Sequence, residues 1–599
     1  MPDNYRQVSD FYDVCVLTNI RGFLGLKYET FLNTGNLIRE VYVQKKQIFN
    51  KQFSVFRFPS SVLCLLLSAF CFLLSIFCLP AYANDIAVDN VSLVDEETAD
   101  DTYDIQFDLA WDNSWFITGA PSAVANWDAA WVFAKFSVYS AGSWSDWAHC
   151  TLLNTGSTAP EGSQISFGIT DAAYKGAFIY RSAAGTGSVD WDDAEIRWDY
   201  GADLVADGAV VQVEVFAIEM VYIPTCNFYA GDGTDRTGGS NSHFFDAADA
   251  VDPRDPVQIT VTQPYISNVN DGTGTAGYIT WVNESGNAGN LPAVETQLGA
   301  NYPSGYNAFY IMKYETSQRQ YCEFLNTLDA TQQNNRHDAA LHFNVNRNFI
   351  KKTSSSPAFF GCDAGNDAGA ATSATKANLN EDDDGEWAAC NYLSWIDVAA
   401  YADWAALRPF TELEFEKACR GGQAALASEY AWGTATVATL AYVLDVNADT
   451  TSEGIGTNYS TTAGNCSYST TDGSINGPLR VGIFSAHANN TGRMTSGAGY
   501  YGIMELSGNL WERPVSVMDS KTGTTVSTFN GTHGDGTLSS TGFATNADWP
   551  GTDAQGCGYR GGTWDYVASH ARVSARSYAA DAFTYRYIRY GGRCARTSP

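Results

Sequence analysis

The chain has 599 residues, of which 45% are hydrophobic and 14% aromatic, and its formal net charge is -31. Its length excludes a single ordinary domain, and its apolar content excludes a disordered chain. Its acidity excludes nucleic acid and anionic membrane surfaces as partners, while cations such as calcium remain compatible.

The first pattern is an export signal. Lys45, Lys46, Lys51 and Arg57 precede an apolar run from Val62 to Leu79, followed by Pro80 and Ala81-Tyr82-Ala83. A basic stretch, an apolar stretch and an A-x-A site make residues 51–83 a signal peptide. Cleavage after Ala83 sends the protein to the periplasm, the cell surface or the medium. Left uncleaved, the same run is just long enough to anchor the chain in a membrane. Residues 1–50 are out of place ahead of such a signal and point to a misassigned start. Nine cysteines follow residue 83, an odd number, so at least one thiol stays unpaired within the chain. None shows the Cys/His spacing of a zinc site.

Residues 84–215 read as an all-β, sandwich-like domain. Ile105, Phe107, Leu109 and Trp111 alternate with Asp104, Gln106 and Asp108, the period of a half-buried strand. Val211, Val213 and Val215 alternate with Gln212 and Glu214 in the same way. The tryptophans here read as core and strand-pairing aromatics, with a sugar-binding platform as the other reading.

From residue 216 the texture changes, and helices with start signals appear. Ser317 to Gln320 is a capping box leading into Tyr321, Phe324, Leu325 and Leu328. Ser394 caps a second helix that buries Val398, Tyr401, Ala402 and Ala405. Thr411 to Glu414 opens a third helix, which stops at Gly421-Gly422. The Gly/Ser/Thr/Asn-rich stretches 230–300, 355–380 and 450–475 are loops or insertions, giving a compact α+β domain with long loops.

Several motifs follow in a fixed order. They are Glu219-Met220-Val221-Tyr222-Ile223-Pro224, Phe309 to Thr316, Tyr392 to Tyr401 and Arg408 to Gly422 with Ala431-Trp432-Gly433. Tyr501 to Glu512, Arg560-Gly561-Gly562-Thr563-Trp564 and Gly591-Gly592-Arg593-Cys594 complete the series. In this order they resemble the formylglycine-generating-enzyme (sulfatase-modifying factor) family. The resemblance implies that family's C-type-lectin-like α+β fold for residues 216–599. Family enzymes oxidise a cysteine with two copper-binding cysteines shortly after the Arg-Gly-Gly motif. Here that stretch, Trp564 to Arg572, contains no cysteine, and Cys557 and Cys594 only flank it. Thiolate is the soft ligand that copper(I) selects, so no copper is expected and the catalytic pair is absent. A family enzyme with altered chemistry is the alternative reading. The resemblance also implies a structural calcium at the Glu505 and Glu512 side chains and the Gly508 and Leu510 carbonyls, an oxygen-only set. Asn380 to Gly385 resembles the start of a calcium loop, but Asn391 stands where its last carboxylate belongs, so it reads as a solvated loop.

Residues 564–590 carry a dense set of varied side chains: Asp565, Tyr566, Ser569, His570, Tyr578, Ala580, Asp581, Phe583, Tyr585, Tyr587 and Tyr590. Tyrosine offers a large rigid contact area with a polar tip at low entropic cost. This texture resembles the variable region of diversity-generating-retroelement target proteins. It implies an exported, non-catalytic receptor that displays these residues to a protein or cell-surface ligand. Arg560, Arg572, Arg576 and Arg593 read as framework ion pairs, and Arg586 and Arg589 as contacts for an anionic ligand.

Overall fold

The computed structural model describes residues 86–599 except 120–124, 169–173, 234–242, 252–253, 283–288, 339–344, 355–357 and 365–378. The extension expected at 1–50 and the signal peptide expected at 51–83 lie outside the described residues.

The alternating stretch forms the strand Thr102–Ile117, with Ile105, Phe107, Leu109 and Trp111 all buried. It pairs antiparallel with Gly185–Asp199 along most of its length. With Asn126–Ser140 it pairs only at Phe116–Trp127 and Ile117–Asn126. The two strands then separate, so the continuous sheet folds over into two layers. Ala130, Val132, Ala134 and Phe136 of the second layer pack on Ile105, Phe107, Leu109 and Trp111 of the first. Trp111, Trp131 and Trp198 are buried in this β-rich region, as core aromatics.

Asn126–Ser140 is the junction of the molecule. Both of its faces are covered, which is why its sequence is an almost unbroken apolar run. Its other face, Ala129, Trp131 and Phe133, belongs to the core that holds the helix Trp395–Trp404. Along one edge it pairs with Val210–Ile223 over Val210 to Val221. Val210–Ile223 continues into pairing with Phe309–Met312, which in turn pairs with Ala595–Thr597. The boundary expected at 215/216 therefore falls inside one continuous strand. The β-rich region and the rest share a sheet and a core, and residues 80–599 form one compact unit.

Gln318–Asn326 starts at Ser317, where both capping-box hydrogen bonds are present, and Tyr321, Phe324 and Leu325 are buried. Glu412–Arg420 starts at Thr411 in the same way and ends at Gly421, whose φ of 66° suits glycine. A Cβ there would also meet the Tyr500 ring at 2.3 Å. A short helix not anticipated from the sequence, Ala330–Arg336, is capped by Asp329 with Gln332 closing the box. No helix among the described residues is long and apolar enough to cross a membrane.

Candidate functional site: an aromatic pocket near the C-terminus

Four separate stretches of chain meet near the C-terminus, tied by their backbones. Trp511 N–H donates to the Arg589 carbonyl at 2.9 Å, and Gly591 N–H to the Trp511 carbonyl at 3.0 Å. Tyr559 N–H donates to the Tyr578 carbonyl at 3.0 Å, and Glu512 bridges Arg560. Buried ion pairs fix this frame to the helix Glu412–Arg420 and the core. They are Arg560–Glu416 at 2.5 Å, Arg576–Glu412 at 2.9 Å and Arg593–Glu512 at 2.7 Å. Each pairs a planar guanidinium with a carboxylate, the geometry that best offsets the desolvation of both.

On this frame opens a pocket of about 700 Å³ lined by Trp511, Lys521, Tyr559, Tyr566, Tyr578, Asp581, Phe583, Tyr585, Tyr587, Arg589 and Tyr590. Trp511, Tyr559 and Tyr590 are buried as its floor, with Tyr566 and Tyr578 packed on them. Phe583, Tyr585 and Tyr587 form its rim, at 37%, 49% and 40% exposure. The Tyr566 and Tyr578 hydroxyls are hydrogen-bonded at 2.8 Å.

Most of the residues singled out from the sequence thus converge, but four do not line the pocket. Asp565 is held by Arg589 at 2.7 Å, and Ser569 is half-buried. Ala580 is buried on the side of Gly289. His570 lies behind the wall, against Trp511, Tyr566 and Tyr578, and burial pushes its pKa down to about 4. Sequence reasoning missed Trp511, Tyr559 and Lys521. The first two carried a signal, since Trp511 lies in the Gly-Asn-x-Trp-Glu motif and Tyr559 directly precedes Arg560-Gly561-Gly562.

The arginines divide differently from expectation. Arg586 faces the scaffold rather than a ligand: it grips Asp397 at 2.6 and 2.8 Å and the Asn335 carbonyl at 2.7 Å. Arg589 does line the pocket, stacked over Tyr566 and Tyr587. Arg572 lies beside Tyr430, without an ion pair among the described residues.

The implied calcium ligands are close together, but their chemistry is committed. Glu512 turns both oxygens toward Arg593. Glu505 accepts the Gly482 N–H at 2.8 Å on one oxygen, while its other oxygen is buried without a hydrogen-bond partner. Burial pushes the Glu505 carboxyl up to about 7. A calcium shell needs ionised carboxylates. Of the implied set, one carboxylate is thus paired with arginine and the other keeps an oxygen without a hydrogen-bond partner. No cluster of three or more His, Cys, Asp or Glu among the described residues is arranged to hold a metal. At Asn380 to Gly385, the Asp384 carboxylate instead accepts the Glu381 N–H at 2.8 Å and closes a turn. Cys557 and Cys594 are buried, and burial raises both thiols away from the reactive thiolate.

No curated protein matches the chain. Among solved structures, Treponema denticola variable protein 1 is similar at 13% identity, over 64% of this chain and 96% of that one, with a TM-score of 0.29. The model of the sulfatase-modifying factor enzyme 1-like domain matches residues 280–598, more than half of the chain and the whole of the pocket. The chain belongs to the family of the sulfatase-modifying factor enzyme 1-like domain.

Proposed function

We propose that this protein is an exported, non-catalytic receptor whose C-terminal pocket is a variable contact face for a protein or cell-surface ligand. The observation that carries the reading is a division of labour. Side chains of types suited to contact, from 566 to 590, gather on one open pocket, while Arg576 among them and Arg560 and Arg593 at their flanks are locked into buried ion pairs. Such a frame lets rim residues change without disturbing the fold, because Phe583, Tyr585 and Tyr587 are exposed. The missing cysteine pair and the buried, protonated thiols support a role without catalysis. Export rests on the basic, apolar and A-x-A pattern ahead of Asn84. The β-rich region serves as a rigid base or attachment for the face.

Sequencing this gene from many isolates tests the reading. Coding changes are expected to concentrate at the codons of Tyr566, Tyr578, Phe583, Tyr585 and Tyr587. The codons of Arg560, Arg576 and Arg593 stay fixed. Changes spread evenly along the gene, or silent ones alone at the rim codons, overturn it.

A further inference from the structure

Beneath the pocket floor lies a buried charge that no carboxylate among the described residues pairs with. Arg513 is fully buried, and its partners are the Tyr559 hydroxyl, the Phe583 carbonyl at 3.1 Å and the Cys557 sulfur at 3.2 Å. A guanidinium stays charged at any physiological pH, and a buried charge without a counter-ion is costly. The carboxylates beside the pocket are taken: Asp565 by Arg589 at 2.7 Å and Asp581 by Lys521 at 3.2 Å. Asp553, which acts on Cys557 from the far side, is exposed to solvent. Among the described residues Arg513 thus has no carboxylate partner, within a chain whose overall charge is -31.

Two further observations fix the sign of what the pocket would accept. Aromatic faces are attractive to cations, but the chain's own guanidiniums are already there. Arg513 lies 4.2 Å from the Tyr559 ring centroid, and Arg589 lies 5.3 and 4.9 Å from those of Tyr566 and Tyr587. A second cation would be repelled. The hydroxyls are placed for the same sign. Arg513 donates to Tyr559 from beneath, and Tyr590 donates to Tyr585 at 3.5 Å. Burial keeps Tyr559 and Tyr590 protonated. Having accepted from Tyr590, the half-exposed Tyr585 keeps its own proton for an acceptor in the pocket.

We infer that the pocket takes an anionic group of its ligand, a carboxylate carried on an aromatic or apolar body, with the Tyr585 hydroxyl as its donor and Lys521 and Arg589 beside it. This inference rests on the contact-face reading of the same pocket. The apolar body stacks on the rim rings, and the carboxylate supplies the negative charge that Arg513 lacks.

The test titrates the full exported chain with phenylacetate, phenylacetamide and phenyltrimethylammonium, followed by saturation-transfer NMR of the probe. Phenylacetate is expected to bind about tenfold more tightly than the amide, the size of one charge-assisted hydrogen bond. Tyr585→Phe is expected to abolish that preference while leaving the melting temperature unchanged. N-acetyl-Phe-Glu-amide and its Phe-Gln counterpart form a second arm. A larger acid preference in the dipeptides assigns the carboxylate to a protein ligand, and a larger one in phenylacetate assigns it to a small acid. Tighter binding of the cation, an unchanged preference in Tyr585→Phe, or no binding by any probe overturns the inference. None of these outcomes touches the codon comparison that decides the contact-face reading.

Discussion

The Lys135 ammonium donates to the Trp404 carbonyl at 2.8 Å, joining the β-rich layers to the C-terminal end of a helix in the family domain. It also reaches the Gly536 carbonyl at 2.8 Å, and nearby Trp131 Nε1 donates to the Ala405 carbonyl at 2.8 Å. Cutting the chain at residue 216 removes Asn126–Ser140 and the start of Val210–Ile223. Three carbonyls then lose their donors, and one face of the central core is left bare. A fragment of residues 216–599 is expected to be insoluble or to lack a cooperative melt, whereas residues 84–599 melt as one unit. Equal melting temperatures for the two would show that the shared sheet contributes nothing to stability.

Rim and floor of the aromatic pocket should respond oppositely to truncation. Tyr585→Ala and Tyr587→Ala remove exposed rings and are expected to change stability by no more than about 0.5 kcal/mol. Trp511→Ala empties the buried floor beneath Tyr559, Tyr566, His570 and Tyr578. Its expected cost is about 3–5 kcal/mol. Urea denaturation of the three variants beside the parent checks this ordering. A rim variant as damaging as Trp511→Ala would mean that the rim tyrosines serve as core.

Local rules made much of this legible. The capping boxes at Ser317 and Thr411 and the alternation at Ile105 to Trp111 depend only on neighbours in sequence, and the elements stand where those rules put them. The same rule applied at Asp329 with Gln332, but there the short helix carries no apolar stripe, so nothing drew attention to it. The domain boundary was illegible because the change of texture near residue 216 marks a change of neighbours along one strand, not a break in it. Within the pocket, residue type showed which side chains suit contact, but not which way each one faces. Arg586 and Arg589 are three residues apart in a similar setting, yet Asp397 claims the first. Asp397 lies on a helix 189 residues away, beyond the reach of any sequence pattern.

Asp397 also holds Arg336, at 3.1 Å. One buried carboxylate thus anchors two guanidiniums, which together pull its carboxyl below the usual range even though burial opposes them. Asp397→Asn keeps the shape but leaves Arg336 buried and unpaired, and such a loss costs about 3–5 kcal/mol. The same change frees Arg586 beside Tyr585 and Tyr587, so anionic probes are expected to bind more tightly to whatever fraction remains folded. Denaturant titration reads the first effect and probe titration the second. An unchanged midpoint would show that the pair is not what orders this segment.

Glu505 and His570 should tilt the pH dependence of stability in opposite directions, and the sign of each follows from its shift. The Glu505 carboxyl is raised from 4.5 to about 7 by burial, with Glu512 adding to the effect against Arg593 and the Gly482 N–H. Between those values the folded protein holds a proton that the unfolded chain has lost, so stability falls as pH rises through about 7. Glu505→Gln keeps the acceptor for Gly482 and should remove that fall, gaining on the order of 2–3 kcal/mol at pH 8 relative to pH 5. If calcium did sit between Glu505 and Glu512, the same variant would lose stability and a chelator would lower the parent's melting temperature. His570 is depressed from 6.5 to about 4 by burial, with Arg572 adding to it. There the unfolded chain binds the extra proton, so stability is lost as pH falls from 6.5 toward 4. His570→Phe, placed among Trp511, Tyr566 and Tyr578, is expected to recover on the order of 1–3 kcal/mol at pH 4.5 and little at pH 8. The difference between variant and parent midpoints across pH isolates each group from the many other carboxylates. A His570→Phe difference that stays flat from pH 8 to 4.5 would mean that this imidazole titrates freely and is not sealed behind the aromatic wall.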